Sequence, residues 1–179
     1  MNRGFAKYVK DDDAGALKDF DKTIELNPKF VEAYNIRGAL LNKMMEYKKA
    51  ILDFDKALSL NKNFSAAYNN RGNSKRSLKD YQGSIEDYTQ AAVVEPGYAL
   101  AYNNRGCVKC YNLNDIQGAM EDFNKAIIYD RFYGEAYFHR SYCFSVLKDN
   151  NRTCLDLQMA YKLGYERAGE LIKTYCNNQ

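Results

Sequence analysis

Small and large side chains recur along the chain at spacings of three and four residues. Each copy of the pattern has an Arg followed by a small residue, a second small residue about a dozen positions later, and a large residue four positions beyond. This spacing is typical of helices, because residues three and four apart share a helix face. We therefore predict pairs of antiparallel helices that cross closely at the small residues. The large residues are Phe20, Phe54, Tyr88, Phe123 and Leu157.

The pattern has a period of 34 residues. The Arg and its small neighbour occur as Arg3-Gly4, Arg37-Gly38, Arg71-Gly72, Arg105-Gly106 and Arg140-Ser141, the last pair after 35 residues. A fixed period of this length is typical of stacked repeats rather than of one globular core. We predict an array over residues 1–163, with copies at about 1–30, 31–64, 65–98, 99–133 and 134–163.

The helix ends carry signals of their own. An acidic residue precedes each second helix, where its charge complements the positive helix end and an Asp can cap free amides. These residues are Asp12, Glu46, Asp80, Asp115 and Asp149. The fourth copy has one extra residue, which we expect to lengthen the turn around residues 111–114. The first copy lacks its opening turn, so we interpret the chain as a piece of a longer array or as one with a truncated start.

Residues 164–179 are predicted to form a capping helix and tail. Apolar residues recur there at helical spacing, at Ala168, Leu171, Ile172 and Tyr175. A terminal repeat cannot bury its outer face alone, so a closing helix with a polar outside is expected. A turn near Gly164 would bring Cys154 close to Cys176 on antiparallel helices.

The repeated positions resemble those of the tetratricopeptide repeat. The third copy fills that family's positions with Tyr68, Gly72, Ser84, Tyr88, Ala91 and Pro96. The departures are an Arg instead of Leu before the Gly, and Lys62, Arg131 and Tyr165 instead of the terminal Pro. The resemblance implies an all-α, right-handed α-solenoid of five helix-turn-helix repeats with a C-terminal capping helix. It also implies a non-enzymatic scaffold that binds an extended peptide or a helix of a partner in a concave groove.

Composition and charge narrow the function further. The chain has 26 basic and 23 acidic residues, a net charge of +3 that is too balanced to imply nucleic acid or anionic lipid as a partner. No stretch approaches the ~18 apolar residues of a membrane span. With His139 as the single histidine, we predict no catalytic residues and no cofactor. The cytoplasm is the favoured compartment, and the periplasm stays open.

Two repeated or motif-like groups of residues invite a chemical interpretation. Cys107 and Cys110 have the spacing of a redox or metal motif, but no second pair exists, so we predict packed side chains and no metal site. An Asp precedes the large residue of every second helix, at Asp19, Asp53, Asp87, Asp122 and Asp156. Because an active site is needed once and a structural device in every copy, we expect a ladder of Arg–Asp pairs.

Asparagines occur at repeat spacing on the first helices. The resemblance places residues beside the opening aromatic and after the Gly in the groove. A carboxamide offers donors and an acceptor, so a row of Asn could hold the peptide groups of an extended chain, although it could also bind water alone. The predicted groove residues are Asn35, Asn69, Asn70, Asn73, Asn103, Asn104, His139 and Tyr142.

Three alternatives remain for the same sequence. The family's carboxylate clamp, which binds acidic chaperone tails, would use Asn73 and Asn104. Its cation positions here hold Asn69, Glu135 and His139. A Glu there would repel the carboxylate, so we disfavour the clamp. The chain could also be a docking or regulatory module of a larger protein, or it could self-associate through Phe5 and Tyr8 of the short first copy.

Overall fold

The computed structural model describes residues 12–176, and within this range the chain is all-helical. The described helices are α1 (Asp13–Leu26), α2 (Val31–Lys43), α3 (Tyr47–Leu60), α4 (Ser65–Ser77), α5 (Tyr81–Val94), α6 (Ala99–Leu113), α7 (Ile116–Tyr129), α8 (Gly134–Val146), α9 (Asn150–Lys162) and α10 (Ala168–Tyr175). The all-α prediction is confirmed. None of these helices combines the length and apolar character that crossing a membrane requires. The Arg3-Gly4 pair and the proposed self-association residues Phe5 and Tyr8 lie outside the described residues.

The second helices begin where their acidic residues predict. Asp12, Asp80, Asp115 and Asp149 each accept a hydrogen bond from the backbone N–H three residues further on. Glu46 makes no such side-chain bond. An N-terminal Asp satisfies an amide that the helix itself leaves without a partner. All four Asp residues therefore cap their helices as expected.

The extra residue of the fourth copy lies in a helix rather than in a turn. Helix α6 has 15 residues, whereas α2, α4 and α8 have 13 each. Asn114 follows directly, with a φ of 55°, and ends the helix in the left-handed conformation that Asn tolerates. The prediction of a longer turn at residues 111–114 is wrong, because continuing the helix keeps the added backbone groups hydrogen-bonded.

Close helix crossings form the core of each repeat. A Cβ atom added to Gly38, Gly72 or Gly106 would lie 2.7–2.8 Å from a ring atom of the large residue on the partner helix. Those rings belong to Phe54, Tyr88 and Phe123, and each is fully buried. The Gly positions thus let the aromatic ring pack directly on the backbone, as the pattern of small and large residues predicts.

The chain divides into two compact units, which meet in sequence between Pro96 and Gly97. In the first unit, α2 packs on α3 and α4 on α5, and the first helices α2 and α4 are neighbours. In the second unit, α6 packs on α7 and α8 on α9, and α6 and α8 are neighbours. Each unit therefore has its own face formed by first helices.

The predicted Arg–Asp ladder is present in both units. Arg37, Arg71, Arg105 and Arg140 each make two hydrogen bonds to the buried Asp of the second helix in their own repeat. Arg37, Arg71 and Arg140 also bond to Asp21, Asp55 and Asn124 of the preceding repeat. Each guanidinium lies over the opening Tyr of its helix, with 5.4–5.8 Å to the ring centroid. The ladder is structural, since it recurs with the repeat.

The capping helix α10 closes the second unit. It packs on α9, with Ala168 fully buried and Ile172 in one apolar cluster with Leu157. Its C-terminal neighbour Cys176 forms a disulfide with Cys154 of α9, with a Cα–Cα distance of 5.5 Å. The predicted proximity of these two cysteines is confirmed.

Candidate functional site

In the first unit, side-chain hydrogen bonds join the neighbouring first helices α2 and α4. The Asn70 carboxamide donates to Oδ1 of Asn35 at 3.1 Å. Nearby, Asn42 donates to the backbone oxygen of Asn70 at 3.4 Å and accepts from the hydroxyl of Ser74 at 2.8 Å. The three asparagines are half-buried. The asparagine row is therefore cross-linked from one repeat to the next.

The Asn35–Asn70 pair keeps hydrogen-bonding groups for a further molecule. Their mutual bond uses one N–H of Asn70 and the oxygen of Asn35. A carboxamide has two N–H donors and one acceptor oxygen. The amide N–H groups of Asn35 and the side-chain oxygen of Asn70 thus stay available. Asn73 is oriented in a similar way, because its oxygen accepts the hydroxyl of Tyr88 at 2.8 Å and its amide group stays available.

Two predicted groove asparagines lie between helices instead of on an accessible face. Asn69 is 1% exposed and Asn103 is 0% exposed. Each comes one residue before a half-buried asparagine, Asn70 or Asn104. One residue turns a helix by about 100°, so the side chains of sequence neighbours point in different directions. Asn69 and Asn103 accordingly pack within the structure and do not present their carboxamides to a partner.

In the second unit, a chain of hydrogen bonds runs between α6 and α8. Asn103 donates to the hydroxyl of Tyr133 at 3.2 Å, and this hydroxyl donates to Glu135 at 3.3 Å. The other oxygen of Glu135 lies 3.3 Å from Nε2 of His139. Nδ1 of His139 lies 2.8 Å from the hydroxyl of Tyr111. Glu135 and His139 therefore bond to each other, at positions where a carboxylate clamp needs free cations.

Aromatic rings surround this chain of polar groups. The ring of His139 stacks on Phe123 with 5.7 Å between centroids, and Tyr111 lies 5.2 Å from Tyr142. Burial raises the pKa of Tyr111 well above its ordinary value, and burial together with the charge of Glu135 does the same for Tyr133. Both phenols consequently stay protonated to a higher pH than an ordinary tyrosine.

A cavity of about 380 Å³ lies beside Tyr142 in the second unit. Its walls come from the first helices α6 and α8, from α9 and from the capping helix α10. The large side chains that line it are Tyr111, Phe138, Tyr142, Leu157, Leu171 and Tyr175. Tyr142 is 45% exposed at its rim. The second unit thus offers a concave aromatic site rather than a row of amides.

The Cys107 and Cys110 thiols are buried in an apolar cluster with Phe123. The Cys110 sulfur lies 3.8 Å from that of Cys143. This contact, together with burial, raises the pKa of the Cys143 thiol. Among residues 12–176, no three His, Cys, Asp or Glu side chains are arranged to hold a metal ion. The two cysteines of the motif are packing residues in this structure.

Comparison with known proteins identifies the repeat. A model of the tetratricopeptide repeat matches residues 31–64, and a second model of the same repeat matches residues 65–97. The chain is a tetratricopeptide repeat protein. Both matching models describe a structural repeat, and neither describes an enzyme. No curated protein sequence matches the chain.

Solved structures share the fold of this tetratricopeptide repeat protein. MamA is 21% identical with a TM-score of 0.78, over 94% of this chain and 98% of MamA. The pilF protein of Pseudomonas aeruginosa is 18% identical with a TM-score of 0.83, over 90% and 73%. YrrB, a TPR protein with an unusual peptide-binding site, is 18% identical with a TM-score of 0.70, over 97% and 90%. These likenesses confirm the predicted fold class and show the fold alone.

Sequence reasoning missed several residues of the tetratricopeptide repeat faces. Tyr111 was expected in a turn, although it lies inside α6 and contacts both His139 and Tyr142. Lys75 and Lys109 add a second cation to the buried Asp of their repeats, at 2.9 and 2.8 Å. Both lysines stand four residues after the ladder Arg, so helical spacing was the signal that could have found them.

Proposed function

We propose that this tetratricopeptide repeat protein is a non-enzymatic scaffold for protein–protein interaction. Its first-helix faces hold an extended segment of a partner protein. The Asn35–Asn70 pair carries the proposal, because it spans two neighbouring repeats and leaves one donor group and one acceptor oxygen available. A peptide group has one N–H donor and one carbonyl acceptor, so a partner backbone complements the pair.

The available groups favour an extended segment over a helix. In a helix the backbone N–H and C=O groups are already bonded to each other. An extended segment still has both, and main-chain hydrogen bonds then supply affinity that does not depend on the partner's side chains. Asn35, Asn70 and Asn73 are the carboxamides that we assign to this role in the first unit.

The face is held in place before any partner binds. Asn42 and Ser74 bond to each other across α2 and α4, and Tyr88 fixes the carboxamide of Asn73. Because these side chains are already ordered, binding loses less conformational entropy. YrrB, which shares the fold, has a peptide-binding site, and this likeness also supports the proposal.

The second unit adds contacts of a different kind. Asn104, His139 and Tyr142 belong to the predicted groove, and Tyr142 is the most exposed of them. His139 is already engaged through both ring nitrogens, with Glu135 and with Tyr111. We assign side-chain selection to this unit and backbone capture to the first.

The test begins with the full chain and a display library of random twelve-residue peptides. A selected peptide is then titrated calorimetrically against the wild type and against a variant carrying Asn35→Ala and Asn70→Ala. Each lost bond contributes about 0.5–1.5 kcal/mol, so we expect the affinity to fall by roughly tenfold. The control is Asn63→Ala, an exposed residue in the turn before α4, which should leave affinity unchanged.

A second measurement asks whether the peptide backbone is the group recognised. Peptides with a single N-methylated amide are compared one position at a time, because methylation removes one N–H donor and keeps the side chain. One or two positions should lose affinity in the wild type and lose little in the Asn35/Asn70 variant. Equal affinity of the wild type and the variant for every selected peptide would refute the proposal, as would a library that yields no binder.

A further inference from the structure

We propose that the cavity lined by α6, α8, α9 and α10 is a pocket for one uncharged aromatic side chain of the bound segment, and that the Cys154–Cys176 disulfide keeps its α10 wall in place. The inference rests on the proposed function, because it assigns a specific side chain of the partner. The cavity of about 380 Å³ lies near the small end of the range for ligand pockets, so it has room for an aromatic side chain.

The neutral lining of the cavity favours an uncharged occupant. Of the described residues that line the cavity, none carries a charge at neutral pH. Phe138, Leu157 and Leu171 present only carbon atoms. A charged side chain would lose its hydration there without gaining an ion pair, and such a loss is costly. A neutral pocket is therefore complementary to a neutral side chain.

The serine and threonine hydroxyls of the lining are already bonded within the protein. Ser141, Ser145 and Thr153 each donate to a backbone carbonyl three or four residues earlier in the chain, at 2.7–2.8 Å. Their donors are thus satisfied before anything binds. A purely apolar occupant leaves none of these donors without a partner, so the pocket behaves as an apolar site despite its polar residues.

The arrangement of rings favours an aromatic occupant. Phe138, Tyr142 and Tyr111 approach from the first helices, and Tyr175 approaches from the capping helix. Tyr111 and Tyr142 are tilted by 52° to each other, so they present both an edge and a face. Aromatic rings gain from such edge and face contacts beyond the area that they bury.

The wall contributed by α10 depends on weak attachments. The helix has eight residues, too few to be stable in isolation. Ala168 is its one buried residue, at the start, whereas Leu171 and Tyr175 are 37% and 39% exposed. The disulfide ties the other end, at Cys176, to α9. Cutting this bond should free the end of the helix that carries Tyr175.

The disulfide is placed where a reductant can reach it. Cys154 and Cys176 are half-buried, whereas Cys107, Cys110 and Cys143 are buried. A dithiol reductant attacks one sulfur as a thiolate, forms a mixed disulfide and releases the other sulfur as a thiolate. Its second thiol then closes the reductant's own disulfide. Two electrons pass from the dithiol to the protein, and Cys154 and Cys176 end as two protonated thiols.

The first experiment measures the pocket with indole and needs no partner peptide. Indole is titrated into the full chain labelled with ¹³C at leucine methyl groups, and methyl shifts are followed by NMR. Leu157 and Leu171 should shift with a millimolar dissociation constant, while the exposed Leu155 on α9 should not. Indole-3-acetate, which has the same ring and a negative charge, should bind at least tenfold more weakly.

The second experiment tests the disulfide. Treatment with dithiothreitol, or the variant Cys154→Ser with Cys176→Ser, should weaken indole binding at least tenfold and speed amide exchange at residues 171–176. The reduced wild type and the variant should have the same indole affinity. This agreement would show that the disulfide bond matters, and not the individual sulfur atoms. Unchanged indole affinity after reduction would overturn the role of the disulfide. Five reactive thiols, counted in the air-oxidised protein after unfolding, would also overturn it, because all five cysteines would then be free.

A variant that fills the pocket completes the design. Ser145→Phe should abolish indole binding, whereas Asn151→Phe, at an exposed position of α9, should not. No shift of Leu157 or Leu171 at 10 mM indole in the oxidised wild type would overturn the pocket. That failure is distinct from failure of the proposed function, which is judged by the Asn35/Asn70 variant and the selected peptides.

Discussion

Arg71 provides an internal comparison between a buried and an exposed ion pair. Its guanidinium makes two hydrogen bonds to Asp87, at 2.9 and 2.5 Å, and one to Asp55, at 2.6 Å. The Asp87 side chain is 3% exposed and that of Asp55 is 48% exposed. One cation thus meets two carboxylates that differ in burial and in the number of bonds they make to it, and Asp87 also pairs with Lys75 at 2.9 Å. We predict that Asp87→Ala destabilises the protein much more than Asp55→Ala.

The expected losses of stability follow from how well water solvates each charge. Removing one partner of a buried pair leaves the other charge poorly solvated and costs about 3–5 kcal/mol. We expect about 3 kcal/mol for Asp87→Ala, at the low end, because Arg71 keeps Asp55 and the Tyr68 ring, and Lys75 can turn toward water. Exposed pairs contribute about 0–1 kcal/mol, so Asp55→Ala should cost less than 1 kcal/mol.

Urea denaturation followed by circular dichroism measures both losses, since both carboxylates belong to the first unit. Urea is uncharged, so it does not screen the pairs as guanidinium would. In 1 M NaCl the effect of Asp55→Ala should shrink, whereas that of Asp87→Ala should persist. A double replacement, Arg71→Met with Asp87→Leu, should recover part of the lost stability. Equal losses at the two sites, or a loss below 1 kcal/mol at Asp87, would refute the reasoning.

Three further predictions concern packing, pH and thiol reactivity. Gly72→Ala places a Cβ atom 2.8 Å from a buried ring, so it should lower the free energy of unfolding by about 1–2 kcal/mol, even after the gain in helix propensity. As a control, Gly97→Ala places its Cβ atom 4.0 Å from the nearest atom, so urea denaturation should show unchanged or higher stability. Because the pKa values of Tyr111 and Tyr133 are raised, the folded chain binds more protons than the unfolded chain above about pH 10. The free energy of unfolding should therefore fall as the pH rises above about 10, and it should fall less steeply when either Tyr is replaced by Phe. Absorbance at 295 nm should show these two phenols ionising after the others, and simultaneous ionisation would contradict it. The buried Cys143, with its raised pKa, should resist a thiol reagent until the chain unfolds.

The repeated part of the structure was predictable from sequence for a physical reason. A stacking residue must occur in every copy, so its role is visible many times. The crossing of Gly72 on Tyr88 and the pairing of Arg71 with Asp87 recur with the period and were expected from it. The Asp caps were predictable in the same way, because a short carboxylate at a helix start satisfies amides that are otherwise unbonded.

The candidate site was less predictable, because it depends on rotation about each helix axis. The pattern assigned both members of Asn69-Asn70 to the groove, yet a step of one residue turns the first of them into the core. The bond between Asn70 and Asn35 depends on the distance between neighbouring repeats, which a sequence period does not specify. The cavity of the second unit depends on the placement of α10, a segment outside the repeat.

The second unit shows how a break in the period can create a site. Five residues after the Gly or Ser of the crossing, the first helices end at equivalent positions, Lys43, Ser77 and Val146. In the fourth copy that position is Tyr111, and α6 continues past it to Leu113. Tyr111 is therefore held inside a helix, where its ring reaches Tyr142 and its hydroxyl reaches His139. Residues that recur stabilise the stack, whereas this departure places an aromatic side chain beside the cavity of the second unit. Deleting Asn112 should therefore return the helix to its usual length and weaken indole binding, while the Arg–Asp ladder and the repeat packing remain.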